Sequence, residues 1–288
     1  MRQIEEQLAK TIDRLTPVSG TPQLDAQVLI AHILNKPRTW VMAHTENTLT
    51  GEQEKQLDDS LARLERGESL PYILGNWEFF GLEFEVTRDV LIPRPETELL
   101  VEKAIAWLGA PAGPRTVADI GTGSGIIAVT IARHVPQVRI HATDISPAAL
   151  EVARRNAIRF GVIDRIDFVE CDLFPARGWS TEGFSPSSID LLCANLPYIP
   201  TEILHKLPLY GREPTLALDG GIDGLSLLRR LLKLAPDWLA PHGIILLEIE
   251  STLGAQTLAL ARMSFPNARV QVHQDLARRD RLLEIRLP

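Results

Sequence analysis

The alternation of apolar and polar residues divides the chain into three regimes. Over roughly the first 70 residues the apolar positions recur with the 3.6-residue period of a helix that buries one face. In LDAQVLIAHIL (24–34), Leu24, Val28, Leu29 and Ile33 fall on such a face. EQEKQLDDSLARLERG (52–67) repeats the pattern with Leu57, Leu61 and Leu64, and Gly67 supplies a stop. Pro17, Gly20, Pro22 and Pro37 punctuate the region, so residues 1–75 read as a small helical bundle. The period then shortens. NWEFFGLEFEVTRDVLI is rich in aromatic and β-branched residues with Gly81 near its middle, which predicts a β-hairpin joining two domains over 76–92. A helix follows, with Pro95 suited to its first turn and Glu96 and Glu98 suited to the positive end of its dipole.

From about residue 115 the two periods alternate. TVADI (116–120), VRIHATDI (138–145), IDFVECDLF (166–174), SIDLLCANLPYIP (188–200) and GIILLEI (243–249) read as strands. Helical segments such as IIAVTIARHV and PAALEVARRNAIRFG stand between the earlier ones, and ARVQVHQD with RLLEIRLP predicts a closing hairpin. Alternating strand and helix units over 93–288 imply a mostly parallel sheet with helices on both faces.

Composition narrows the class. Apolar residues make up 45% of the 288 positions and charged residues 23%, ordinary for a globular chain that buries a sizeable core. No stretch approaches the roughly 18 to 20 apolar residues of a membrane span, and the N-terminus lacks the form of a signal peptide, so the expectation is a cytoplasmic protein. A net charge of −7 argues mildly against nucleic acid as direct partner. Cys171 and Cys193 read as reduced core thiols, and the seven histidines do not cluster, so no metal is expected.

Two stretches carry candidate chemistry. Asp119 precedes a turn of Gly121, Thr122, Gly123, Ser124 and Gly125, which follows a strand and opens a helix. Glycines there let a ligand approach the backbone at a helix N-terminus, although a tight strand-to-helix turn has the same signature. The spacing is not the G-x-G-x-x-G of a pyrophosphate site, which argues for a smaller, cationic nucleoside. Asp144 ends the second strand, where a carboxylate takes ribose hydroxyls, and Asp172 ends the third, within reach of an adenine amino group. Helix or loop capping is the alternative for each. At the end of the fourth strand stand Asn195, Leu196, Pro197 and Tyr198. A conjugated NH2 group is a poor nucleophile because its lone pair is delocalised. Two carbonyl acceptors, one on the Asn195 side chain and one on the Leu196 main chain, would grip its N–H bonds and favour charge developing on nitrogen. Tyr198 would lie against the planar group. A strand-terminating turn is the plainer reading of the same residues.

With these motifs in order, the chain resembles the protein-glutamine methyltransferases of the HemK/PrmC type, which modify peptide-chain release factors. LIPRPETELLV (91–101) is the most specific element, and ADIGTGSGIIA, DISPAALEVARRNA, CDLF, NLPYIP and EPTLALDGGIDGL (213–225) follow in the family's order over nearly the whole chain. The resemblance implies a Rossmann-like class I methyltransferase domain with a seven-stranded sheet, after a helical substrate-recognition domain. It implies S-adenosylmethionine as cofactor and, as substrate, the glutamine of the Gly-Gly-Gln loop of release factors. Cofactor contacts carry over to Gly121, Thr122, Gly123, Ser124, Gly125, Asp144, Asp172, Leu173 and Asn195, and acceptor contacts to Asn195, Leu196, Pro197 and Tyr198. The IPRPETE segment reads as a lid shaped by Arg94 and Glu96, or else as a Pro-punctuated helix start. Three residues depart from the family. Leu196 replaces the first Pro of Asn-Pro-Pro-Tyr, Leu173 stands where some relatives place an aromatic residue, and Glu250 replaces the Gly of Leu-Glu-Ile-Gly. A ribosomal-protein glutamine, an adenine amino group of DNA or RNA, and a non-catalytic cofactor-binding module remain the competing readings.

Overall fold

The computed structural model describes residues 3–109, 113–175 and 185–288. It divides into two compact units, Met1–Asn76 and Trp77–Pro288. The first unit is helical: α1 (Ile4–Leu15), α2 (Pro22–Leu34), α3 (Arg38–Ala43), α4 (Gly51–Glu65) and α5 (Leu70–Leu74). The Leu57, Leu61 and Leu64 face of α4 is buried as its period predicts, and Thr50 and Gln53 form a capping box at its start. In α2 the buried face is instead Ala26, Leu29, Ile30 and Ala31, and Leu24 is 41% exposed. That helix is apolar over most of its circumference, so periodicity alone mis-set its face.

From the last residue of the first unit onward, β1 (Asn76–Phe79) and β2 (Leu82–Glu85) pair as a separate hairpin. Its two-residue turn has positive φ at both Phe80 and Gly81. The hairpin packs on the sheet rather than hanging free: Phe79 and Phe84 join the buried core with Leu100, Val117 and Ile140. There follow α6 (Glu98–Gly109), β3 (Arg115–Ile120), α7 (Ile126–His134), β4 (Val138–Asp144), α8 (Pro147–Arg159), β5 (Ile166–Glu170) and β6 (Ile189–Ala194). The unit closes with α9 (Thr201–Leu204), α10 (Ser226–Leu234), β7 (Leu239–Glu248), α11 (Gly254–Ser264), β8 (Arg269–Gln274) and β9 (Asp280–Arg286).

Seven strands form one sheet in the order β5-β4-β3-β6-β7-β9-β8, parallel except for β9. Alternate residues of each strand serve opposite faces. Val117, Leu191 and Leu246 face α6 and α7, whereas Ala118, Leu192 and Leu247 face α10 and α11. The order reverses between β3 and β6, and the crevice at their carboxyl ends is where an open α/β sheet binds ligands. Among the described residues no helix is long and apolar enough to cross a membrane.

Candidate active site

A cavity of about 770 Å3 opens at that crevice. The glycine turn, the ends of β4 and β6, and the 88–97 segment meet around it. Gly121 has φ of 73°, and a Cβ placed there would stand 3.2 Å from Leu196 Cδ2. The turn is therefore narrow for a steric as well as a conformational reason. Its main chain is tied down, since Gly121 N and Thr122 N both donate to Thr143 O, at 2.8 and 2.9 Å.

Two carboxylates shape the turn. Asp144 Oδ2 accepts from Gly123 N and its Oδ1 from Ser146 N, each at 2.9 Å. Burial pushes its carboxyl up, and those backbone donors partly offset the effect. Ser146 is the cap of α8, its Oγ accepting from Ala149 N at 3.2 Å. Asp144 is thus not that cap but a brace on the turn, and it lines the cavity. Asp119, wholly buried, accepts through Oδ2 from Thr122 Oγ1 at 2.6 Å and from Ala128 N at 3.1 Å. It does the work of an N-cap side chain for α7, whose N-cap residue, Gly125, has none. Its Oδ1 has no hydrogen-bond partner, and desolvation pushes the carboxyl up to about 7.

At the adenine-side rim expected for Asp172, its Oδ2 accepts from Arg230 Nη2 at 2.7 Å, so this carboxylate is shared with a cation that sequence reading missed. Leu173 lines the same wall in the left-handed region, φ 66°, and its carbonyl accepts from Thr143 Oγ1 at 2.9 Å. Cys171 is not a core thiol like the buried Cys193. It is half-buried and lines the cavity, its thiol pushed up to about 11 by desolvation.

Asn195, Leu196 and Pro197 line the cavity directly after β6. Asn195 Nδ2 donates to Thr97 Oγ1 at 3.1 Å, and Thr97 Oγ1 donates to Glu248 Oε2 at 2.6 Å. Tyr198 is outside the lining, and its hydroxyl donates to Glu248 Oε1 at 3.5 Å. The 213–225 loop clamps the main chain here: Ile199 N donates to Leu218 O at 3.1 Å and Gly220 N to Ile199 O at 2.8 Å. The fit leaves no room for side chains, since a Cβ on Gly224, at φ 77°, would fall 2.3 Å from Tyr198 O.

The IPRPETE segment is pinned rather than loose. Arg94 donates to the buried Glu213, whose Oε2 also accepts from Ile92 N at 3.1 Å. Arg94 lines the cavity, whereas Glu96 is exposed and outside the lining. The member of the segment that reaches Asn195 is Thr97, fully buried. Sequence reading missed Thr97, Glu213 and Glu248, although each lies in a quoted motif. It also missed Asn156, which donates to Glu85 O at 3.0 Å and Ser124 O at 2.9 Å and so joins hairpin to glycine turn. Glu250 gains a structural account: its carboxylate accepts from Thr252 N at 2.7 Å and caps the turn Ser251–Leu253.

The residues present fit a cationic nucleoside. The narrow glycine cradle, the braced Asp144 and the carboxylate of Asp172 line the cavity together with the polar amide of Asn195.

Comparison with known proteins bears on these features. A family model described as the PrmC N-terminal domain matches residues 6–75, and one described as a methyltransferase domain matches residues 117–207. The release factor glutamine methyltransferase of Moorella thermoacetica is 42% identical over 262 residues, covering 90% of this chain and 89% of that protein. Its namesake in Bordetella pertussis is 42% identical, covering 80% of this chain and 82% of that protein. A methyltransferase from Pyrococcus furiosus superposes at a TM-score of 0.50 and 18% identity, over 82% of this chain and 98% of the other. That last likeness is one of fold.

Proposed function

This chain belongs to the release factor glutamine methyltransferase family, and on that premise we propose that it methylates the glutamine side chain in the Gly-Gly-Gln loop of peptide-chain release factors. The cofactor on this reading is S-adenosylmethionine, which supplies an electrophilic methyl group on sulfur. The observation that carries the reading is the Asn195 amide at the cavity wall, whose NH2 is engaged by Thr97 and whose carbonyl oxygen is thereby left to accept.

The chain's own residues then divide the work. The turn from Gly121 through Thr122, Gly123 and Ser124 to Gly125 receives the nucleoside, with Asp144 on the ribose and Leu173 against the base. Asp172 offers the adenine amino group the oxygen that Arg230 does not hold. Asn195 Oδ1 and the Leu196 main-chain carbonyl accept the two N–H bonds of the glutamine amide. This aligns its nitrogen for in-line attack and favours the positive charge that develops there. The replacement of Pro by Leu196 keeps that carbonyl, and Pro197 still biases the residue before it to extended backbone. Residues 1–75 recognise the protein substrate, a role supported by the match over 6–75 and by the placement of every cofactor motif in the second unit.

The test is mass spectrometry of purified release factor after incubation with enzyme and S-adenosylmethionine. One added methyl confined to the loop glutamine is the expected outcome. An unmodified release factor, with label on a ribosomal protein or on DNA offered in parallel, would overturn the reading.

A further inference from the structure

While the Glu248 carboxyl is ionised, the donor order around Asn195 is physically determined. A threonine hydroxyl carries one hydrogen. Thr97 Oγ1 spends it on Glu248 Oε2 at 2.6 Å, so towards Asn195 it can only accept. The amide must then turn Nδ2 to Thr97, at 3.1 Å, and leave Oδ1, which makes no hydrogen bond among the described residues, for the cavity. Asparagine is otherwise indifferent to a flip that exchanges its oxygen and nitrogen. Flipped, it would set a donor against the N–H bonds of the acceptor amide, and the grip would fail.

We infer that Thr97 and the Glu248 carboxylate are positioning residues that fix the polarity of the Asn195 amide, an inference that rests on the acceptor role given to Asn195 above. Thr97 and Glu248 are both nearly without solvent exposure. Glu248 ends β7, and its surroundings contain the Tyr198 hydroxyl, Glu96 before α6 and Arg281 on β9. Arg281 is also drawn to Asp275, at 3.3 Å, which leaves its charge shared. Burial pushes the Glu248 carboxyl up to about 7, with the Thr97 hydrogen bond and Arg281 opposing the rise and Glu96 adding to it. Once protonated, Glu248 can donate to Thr97, whose hydroxyl then donates to Asn195 Oδ1. The chain of donors reverses and the amide flips. Turnover should therefore rise with pH through about 7, as the carboxyl ionises.

The experiment uses the full-length chain with purified release factor and S-adenosylmethionine. It measures kcat and KM across pH, cofactor affinity by calorimetry, and melting temperature. Thr97→Val and Glu248→Gln are expected to lower kcat roughly 10- to 100-fold, the scale of a lost hydrogen bond to a charged group, with cofactor affinity nearly unchanged. Thr97→Ser, which keeps the hydroxyl, should recover most of the loss. Glu248→Gln should lose the acid limb of the kcat profile. Wild-type kcat in Thr97→Val or Glu248→Gln, equal damage in Thr97→Ser and Thr97→Val, or a parallel loss of cofactor binding would overturn the inference. The Asn195 side-chain NH2 resonance in wild-type protein gives a second readout that needs neither substrate nor a folded variant. It should titrate with the Glu248 carboxyl, and a resonance indifferent to pH would also overturn the inference. A wild-type chain that leaves release factor unlabelled would overturn the functional reading alone, because the resonance still decides the polarity.

Discussion

The two ends of the cavity are built in different ways. The glycine turn is assembled from near neighbours: Asp119, Thr122 and Ala128 lie within ten positions of one another, and Asp144 and Ser146 belong to the next strand-helix unit. The Asn195 end is assembled from segments far apart in sequence. Thr97 stands 98 positions before Asn195, and Glu248 stands 151 positions after Thr97. A further clamp comes from 218–224, and Arg94 is fixed by Glu213 across 119 positions. A site made locally tolerates change elsewhere in the fold. One made of long-range pairs fails when any of several distant segments shifts. Leu196 joins the two, because its side chain packs where Gly121 has no Cβ.

The sharpest way to separate the ends is Asn195→Ala. Turnover should fall on the order of 100- to 1000-fold while cofactor affinity, measured by calorimetry, stays near wild type. Equal losses in both would merge the two ends into one. Asp144→Ala is the mirror experiment. Cofactor binding should weaken by roughly 1.5 to 3 kcal/mol, because a charged acceptor is lost and Gly123 N is left without its brace. An unchanged dissociation constant would remove Asp144 from the cofactor wall.

Gly224→Ala probes the long-range clamp. The residue would be held at positive φ with its Cβ against Tyr198 O. Thermal melts should show a cost of roughly 1 to 3 kcal/mol, with turnover hit harder than cofactor affinity. A variant as stable and active as wild type would show that the 213–225 loop is dispensable to the acceptor end.

The remaining contrast is at Asp119, and it is read through pH. Its folded carboxyl is raised to about 7 from an ordinary value of 3.8, so it binds its proton more tightly folded than unfolded. Its contribution to stability is fully present below about pH 3.8 and is lost as pH rises through about 7. Asp119→Asn keeps an acceptor for Thr122 and Ala128 and carries no charge. Denaturant melts should therefore show the variant gaining on wild type as pH rises across that window, with little difference at its acid end. A constant difference at every pH would mean that Asp119 does not titrate there.

Hydrophobic patterning alone led to the strand-helix alternation of 115–249, and the sheet follows it because a strand's two-residue period and a helix's 3.6-residue period leave different marks. Local motifs likewise led to the glycine turn, Asp144 and Asn195, since each needs only a few adjacent residues to express its geometry. The face of α2 was misread because periodicity cannot choose among faces when nearly all are apolar. Sequence could not say which member of IPRPETE matters. Arg94 and Glu96 carry the charge, yet Arg94 is held by Glu213, Glu96 faces solvent, and the uncharged Thr97 meets Asn195. Nor did it reveal that Asp172 is shared with Arg230, or that Tyr198 turns its hydroxyl to Glu248. Those outcomes depend on which strand lies beside which and how far each side chain then has to reach. The sequence by itself determined the elements, their order and the residue types at the ends of the strands. Only the tertiary structure decided the donor order through Glu248, Thr97 and Asn195, because a hydrogen bond's direction is set by partners that the chain brings together only once the sheet is complete.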